Sequence, residues 1–330
     1  MERRQFLVSA GSGAVALTLP DLSDRARLGM SDVESLRAPL SQLVALDARR
    51  GGTTLAPAAA AMVAQIEAAL ARCQVSDRVR RAMYSLAGEY LASAGWFAID
   101  AGDLPAASRY LDHALRVSVI GRDVTLQSQI WNALAWRADQ ASEYGEVLAI
   151  AQSASTSTAS RRNPKIAALW HGWSAQGHAW AGSRRLAERS LDRSREALDR
   201  AEDSGIPTAP WLVFLDHSEL HAQAAYSHLV LGNYAAAETA AAAALHLIPR
   251  QYARNRISRQ MLLARAYLGQ VEVEQAAGVA TTVLDCVSGL HSGRLDREYH
   301  RLYDQFAAWE SDVPMAAAWT DRFRKQVLSG

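Results

Sequence analysis

Residues 218–251, SELHAQAAYSHLVLGNYAAAETAAAAALHLIPRQ, read as one helix, a tight turn and a second helix. Gly232-Asn233-Tyr234 is the turn. Ala225 and Tyr226 lie on the first helix, Ala237, Ala241, Ala244 and Leu245 recur at helical spacing on the second, and Pro249 closes the unit. The alanines matter physically. A stripe of small side chains lets two antiparallel helices come close, and larger residues on the partner fill the groove between them.

A Gly-Asn-aromatic turn followed by small residues and a terminal proline resembles a tetratricopeptide (TPR) unit of about 34 residues. Working outward, similar turns appear at Gly102-Asp103-Leu104, Ser142-Glu143-Tyr144, Gly182-Ser183-Arg184 and Gly269-Gln270-Val271, giving spacings of 40, 40, 50 and 37 residues with the turn at Gly232. All exceed the standard length, so helices or inter-repeat loops are extended. The position five residues after each first turn residue holds Ala107, Val147, Ala187, Ala237 and Glu274, the last a poor match. Asp203 to Pro210, with two prolines, reads as a loop, and Ser153 to Pro164 as a solvated inter-repeat loop. The expectation is an all-α protein, a TPR-like α-solenoid of antiparallel helix pairs with capping helices at both ends. The N-terminal caps are 31–50, with Pro39 inside it, and 56–73, starting at Pro57; the C-terminal caps are 295–310 and 314–328. Residues 1–30 form a flexible leader or linker and 31–330 the repeat domain.

Composition agrees with a helical protein. Hydrophobic residues make up 49%, and 35 basic residues balance 34 acidic ones to a net charge of +1. That balance argues against nucleic-acid binding by the chain as a whole. The mixed charges from Arg184 to Arg200 read as a solvated face. Two cysteines, Cys73 and Cys286, show no motif spacing and imply neither a disulfide framework nor a thiolate metal site. No stretch reaches the ~20 apolar residues of a membrane span. Arg3-Arg4-Gln5-Phe6-Leu7 matches the core of a twin-arginine export signal, followed by the mildly apolar Val8 to Leu19. Glu2 and the absence of a small-residue cleavage site before the charged segment Asp21 to Arg27 count against export.

Several segments, in order, resemble the TPR-containing region that follows the helix-turn-helix domain of bacterial Xre-type transcriptional regulators. They are Leu46-Asp-Ala-Arg-Arg-Gly-Gly52, Ala94-Gly-Trp-Phe-Ala-Ile-Asp-Ala-Gly-Asp103, Pro210-Trp-Leu-Val-Phe-Leu-Asp-His-Ser-Glu-Leu220, Leu262-Leu-Ala-Arg-Ala-Tyr267 and Ser292-Gly-Arg-Leu-Asp-Arg297. The likeness covers roughly residues 31 to 305. In that family an Arg-Arg-x-Phe-Leu segment often lies just after the DNA-binding domain, which gives residues 3–7 a second reading as linker. The chain begins at that linker, so direct operator binding does not carry over. The family supplies no catalytic residues.

In such arrays the first helix of each pair lines the concave face, where ligands bind. The position six residues before each turn holds Trp96, Trp136, Gln176, Tyr226 and Leu263, and neighbouring groove positions include Glu89, Asp100, Gln129, Asn132, Asp139, Trp180, Glu219, Arg256 and Arg259. The expected ligand-binding groove comprises Trp96, Asp100, Asn132, Trp136, Asp139, Gln176, Trp180, Glu219, Tyr226, Arg256 and Arg259. Aromatic anchors among polar groups suit a peptide or small-molecule groove. The competing reading packs these rings between helices. His217, His221 and His228 share one helical face, with His171 and His178 in matching register, and satisfied interior histidines are the default; no metal and no cofactor is expected. Phosphate loops, nucleophile elbows and Cys/His pairs are absent, which argues against an enzyme. The expected function is a cytoplasmic regulatory or sensor TPR protein that binds a peptide, small effector or partner protein in a concave groove, with a separate chain contacting DNA and homodimerisation open. Alternatives are an exported TPR scaffold using the twin-arginine signal, and a truncated helix-turn-helix transcription factor.

Overall fold

The computed structural model describes residues 4–10, 13–19, 22, 25–50, 52, 54–249, 252–285 and 292–328. Gly51, Cys286 and Arg3 lie outside the described residues. From Met30 onward every regular element among the described residues is helical. The chain divides into two compact units, residues 1–142 with 291–294, and residues 143–290 with 295–330.

The first unit opens with β1 (Arg4–Ala10) and β2 (Gly13–Leu19), an antiparallel hairpin in which Arg4 faces Leu19 and Ala10 faces Gly13. Residues expected to form a flexible leader therefore pair with each other. Five helices follow: α1 (Met30–Arg50), α2 (Ala56–Arg72), α3 (Asp77–Ala101), α4 (Leu104–Gly121) and α5 (Val124–Gln140). Their starts are written locally. The Ser76 hydroxyl accepts from the Val79 amide, Asp103 from Ala106 and Asp123 from Thr125 and Leu126, each satisfying a helix-end donor. Leu36, Leu43, Met62, Ile66, Met83, Leu86, Phe97 and Leu111 fill the core. The Cys73 thiol is buried and donates to the Arg25 carbonyl, 2.9 Å away.

The second unit contains α6 (Tyr144–Ser155), α7 (Thr158–Arg162), α8 (Pro164–Trp180), α9 (Arg184–Asp203), α10 (His217–Val230), α11 (Tyr234–Leu247), α12 (Ala253–Gly269), α13 (Val273–Asp285), α14 (Gly293–Ala307) and α15 (Pro314–Phe323), with a 3-10 turn at Pro210–Leu212 and a π-helical end at Arg324–Leu328. The first two residues of α14 cluster with the first unit. The stretch 153–164 is not an open loop. It holds α7 and then Asn163, whose side chain accepts from the Lys165 and Ile166 amides and starts α8. Short polar residues there cap helices instead of solvating a connection. α8 packs on α9, α10 on α11 and α12 on α13, and the leading helices α8, α10 and α12 also contact one another in series. At the C-terminal end Trp319 meets Phe306 at a tilt, 4.6 Å away, and stacks on Phe323 at 5.4 Å, in one apolar cluster with α12 and α13.

One turn geometry recurs. Gly102, Ser142, Gly182, Gly232 and Val271 all have positive φ, between 62° and 84°. In four of them, that residue's amide donates three residues back and the next amide five back: Gly102 to Ile99 and Asp103 to Ala98, Gly182 to Ala179 and Ser183 to His178, Gly232 to Leu229 and Asn233 to His228, Val271 to Leu268 and Glu272 to Tyr267. These bonds satisfy the carbonyls left open at a helix end. The fifth turn is thus Val271-Glu272-Val273, two residues later than the sequence pattern placed it. Gly269 drew the turn to itself, but its lack of a side chain serves space. A Cβ there would sit 2.2 Å from the Tyr234 ring. Counting from Val271, the small position falls on the fully buried Ala276, and the poor match at Glu274 disappears.

Candidate functional site

In the first unit, three of the five segments behind the family resemblance converge. The Trp96 indole donates to Asp47 Oδ2 at 3.2 Å. The Gly52 amide donates to Asp100 Oδ2 at 3.2 Å, and the Ser292 hydroxyl donates to Asp100 Oδ1 at 2.7 Å. The backbones approach so closely that only glycine fits. A Cβ on Gly52 would lie 2.8 Å from Phe97 Cα, and one on Gly293 would lie 2.9 Å from the Ala101 carbonyl oxygen. Asp100 is fully buried. It was expected to face a groove; instead its two oxygens brace the ends of two distant segments, because this face of α3 is covered by them.

Trp96 and Trp136 meet edge to face, with centroids 5.9 Å apart at 77°. The Arg294 guanidinium lies 5.5 Å from the Trp136 ring centre, and both indoles pack against the unit's core. Asn132 is buried, and the half-buried Asp139 accepts from Gln140. Glu89 pairs with Arg37 at 3.1 Å; burial pushes its carboxyl pKa up, and the guanidinium pulls against that rise.

The second unit arranges its rings differently. Tyr144, the first residue of α6, stacks on Trp180 of α8 at 3.7 Å and 9°. Trp180 in turn meets Tyr226 of α10 at 6.3 Å and 63°. Trp180 is 38% exposed, its neighbours are half-buried, and Gln176 lies half-buried one turn before it. The structure therefore brings Gln176, Trp180 and Tyr226 together. Tyr144 escaped the sequence reading. Its signal is positional, because it sits two residues after the positive-φ residue and touches the residue two before the next such turn. Tyr234 and Gly269 stand in the same relation.

Glu219 and Arg259 form a buried ion pair, and the Gln223 amide donates to Glu219 at 3.4 Å. Arg256 donates to the carbonyls of Leu245 and Ile248, at 3.5 and 3.3 Å, closing the C-terminal end of α11. It too was expected in the groove, and open carbonyls at that helix end hold it elsewhere. With the fifth turn at Val271, the position six residues before it is Arg265; Leu263, the residue first placed there, is buried in the core.

His171 and His178 on α8 and His221 and His228 on α10 all have lowered pKa values, burial being the largest cause. Arg193 and Arg200 add to it at His171 and are opposed by Glu196, while Arg195 and His217 add to it at His221. At His228 Glu188 opposes it and Arg184 adds to it. Among the described residues no three His, Cys, Asp or Glu side chains gather as a metal site, and no helix is long and apolar enough to cross a membrane. No family model, no curated protein and no solved structure matches this chain.

Proposed function

We propose that this protein is a regulatory or sensor protein with a TPR-like repeat architecture, and that it holds an extended peptide segment of a partner on the leading-helix face of its second unit. The observation that carries this reading is the row Tyr144, Trp180 and Tyr226, which brings together rings from three helices, α6, α8 and α10. Rings already in contact with one another lose little freedom on binding, so their contact area is gained at low entropic cost. Gln176 beside them offers an amide to a peptide backbone. The role is binding without catalysis. Occupancy would act by favouring one of two states of the array, which requires the peptide to bind those states unequally. Transcriptional regulation through a separate DNA-binding chain follows from the family resemblance, and a near-neutral chain is expected to show no sequence-specific DNA affinity of its own.

The test is selection of random extended peptides displayed on phage against the full chain. Peptides recovered on the unaltered protein should bind Trp180→Ala at least about tenfold more weakly, a difference of ~1.4 kcal/mol. Equal affinity for the two proteins would reject the row as the site.

A further inference from the structure

The second unit also contains a cavity of about 350 Å³, walled by α10, α11, α12 and the end of α14. Tyr234 and Trp309 contribute rings to it, and Leu229 and Leu268 contribute aliphatic surface. Arg265 and Gln305 contribute the polar groups. Arg265 makes no hydrogen bond and no ion pair among the described residues, and its Nε is sealed from solvent without an acceptor. The residues one turn away on its own helix, Met261, Leu262, Leu268 and Gly269, offer no carboxylate. Gln305 is solvent-exposed, so its amide is free to turn toward a ligand without the penalty that the sealed Arg265 Nε carries.

We propose that this cavity binds a small organic carboxylate with an aromatic or branched aliphatic body. A guanidinium with a desolvated, unpaired donor is held at a cost that a bidentate carboxylate would remove. One cation, with the Gln305 amide the other polar side-chain group beside aromatic and aliphatic residues, fits a monoanion. A phosphate or polyanion calls for several donors, and those are missing here. The volume lies at the low end for ligand pockets, which limits the body to about the size of one aromatic group or one short aliphatic chain.

The cavity also has a structural origin. Where Tyr144 meets Trp180, the indole fills the space beneath the turn tyrosine. Where Tyr234 meets the corresponding residue, that residue is Gly269. The ring drops onto the α12 backbone and the space beside it stays open, with Arg265 at the register position that Trp96, Trp136, Gln176 and Tyr226 occupy in the other leading helices. The inference does not depend on the aromatic row, and Trp180→Ala leaves it untouched.

Titration of the full chain with indole-3-acetate, phenylacetate and 4-methylpentanoate, each beside its primary amide, tests it by calorimetry. At least one acid should bind with Kd below ~1 mM, and its amide should bind about tenfold or more weaker. Arg265→Gln should erase the preference for acid over amide, and Arg265→Met should melt no lower than the unaltered chain. The tripeptide Gly-Gly-Leu, with its C-terminus free or amidated, separates the two sources of such a carboxylate. Tighter binding of the free tripeptide than of 4-methylpentanoate assigns a peptide C-terminus, and the reverse assigns a free acid. Failure of all four acids to bind, or equal binding of acid and amide by the unaltered chain, would overturn the proposal without recourse to any variant.

Discussion

In the first unit, Trp96 donates to Asp47, Trp136 lies against Arg294, and Asp100 holds Gly52 and Ser292 from inside. In the second, Trp180 keeps over a third of its surface open beside Tyr144 and Tyr226, and Arg265 keeps an unpaired guanidinium at the edge of a cavity. Trp96, Trp136, Tyr226 and Arg265 occupy equivalent places on leading helices. The first unit commits its two to internal contacts, while in the second Tyr226 packs partly on the core and Arg265 borders a cavity. Register decides where a side chain points, while its neighbours decide whether it has anything left to offer a ligand.

The largest effect that tests this contrast concerns Glu219, an expected groove residue that is already paired. Glu219→Ala leaves the buried Arg259 guanidinium uncompensated and should cost about 3–5 kcal/mol of the second unit's stability in denaturant unfolding. A loss below ~1 kcal/mol would make that pair a solvent-facing one and return it to the groove. In the first unit, Asp100→Ala strands the Gly52 amide and the Ser292 hydroxyl and should cost about 2–3 kcal/mol. No loss there would mean that the three converging segments are not held by this carboxylate.

Turn variants come next. Gly232→Val forces a β-branched residue into a left-handed backbone and should destabilise by about 1–2 kcal/mol. Val271, at φ 65° and 62% exposed, already carries that strain. Val271→Gly should therefore stabilise the chain, by about 0.5–1 kcal/mol after the entropic cost of glycine. Destabilisation by Val271→Gly would move the turn back toward Gly269.

The smallest expected effect is a histidine-linked pH dependence of the second unit. Four of its histidines, His171, His178, His221 and His228, have folded pKa values below the ordinary 6.5. Above that pH they are neutral whether folded or not. As pH falls below 6.5 the unfolded chain takes up protons first, so stability falls until the folded histidines also protonate. Melting of His171→Gln and His228→Gln variants should be less sensitive between pH 6.5 and the lowered folded values than that of the unaltered chain. Identical profiles would exclude these groups as the cause.

Much of the helical plan could be read from residues. The starts at Pro57 and Pro314 and the turns at Gly102, Ser142, Gly182 and Gly232 are written in single side chains or short triplets. What the sequence hid had specific causes. Gly269 and Val271 exchange the usual signals, because the glycine is needed for the Tyr234 ring and the turn falls on a valine. Asp100 and Arg256 look like groove residues by spacing, but their partners Gly52, Ser292, Leu245 and Ile248 come from other segments that helical periodicity cannot see. Tyr226 lies at the expected register and Trp180 four residues after that register on its own leading helix, so their nearness could be read from spacing, while Tyr144 belongs to the following helix and reaches back across the turn.

The most direct measurement compares the melting of Trp136→Ala and Trp180→Ala in the full chain. The contrast between the units predicts that Trp136→Ala loses about 3–5 kcal/mol, because its ring is packed between Trp96, Arg294 and the core. Trp180→Ala should lose no more than about 1–2 kcal/mol, since it gives up stacking and partly exposed area alone. Comparable losses in the two variants, or a larger loss at Trp180, would contradict the claim that the first unit packs Trp136 inward and the second leaves Trp180 partly open.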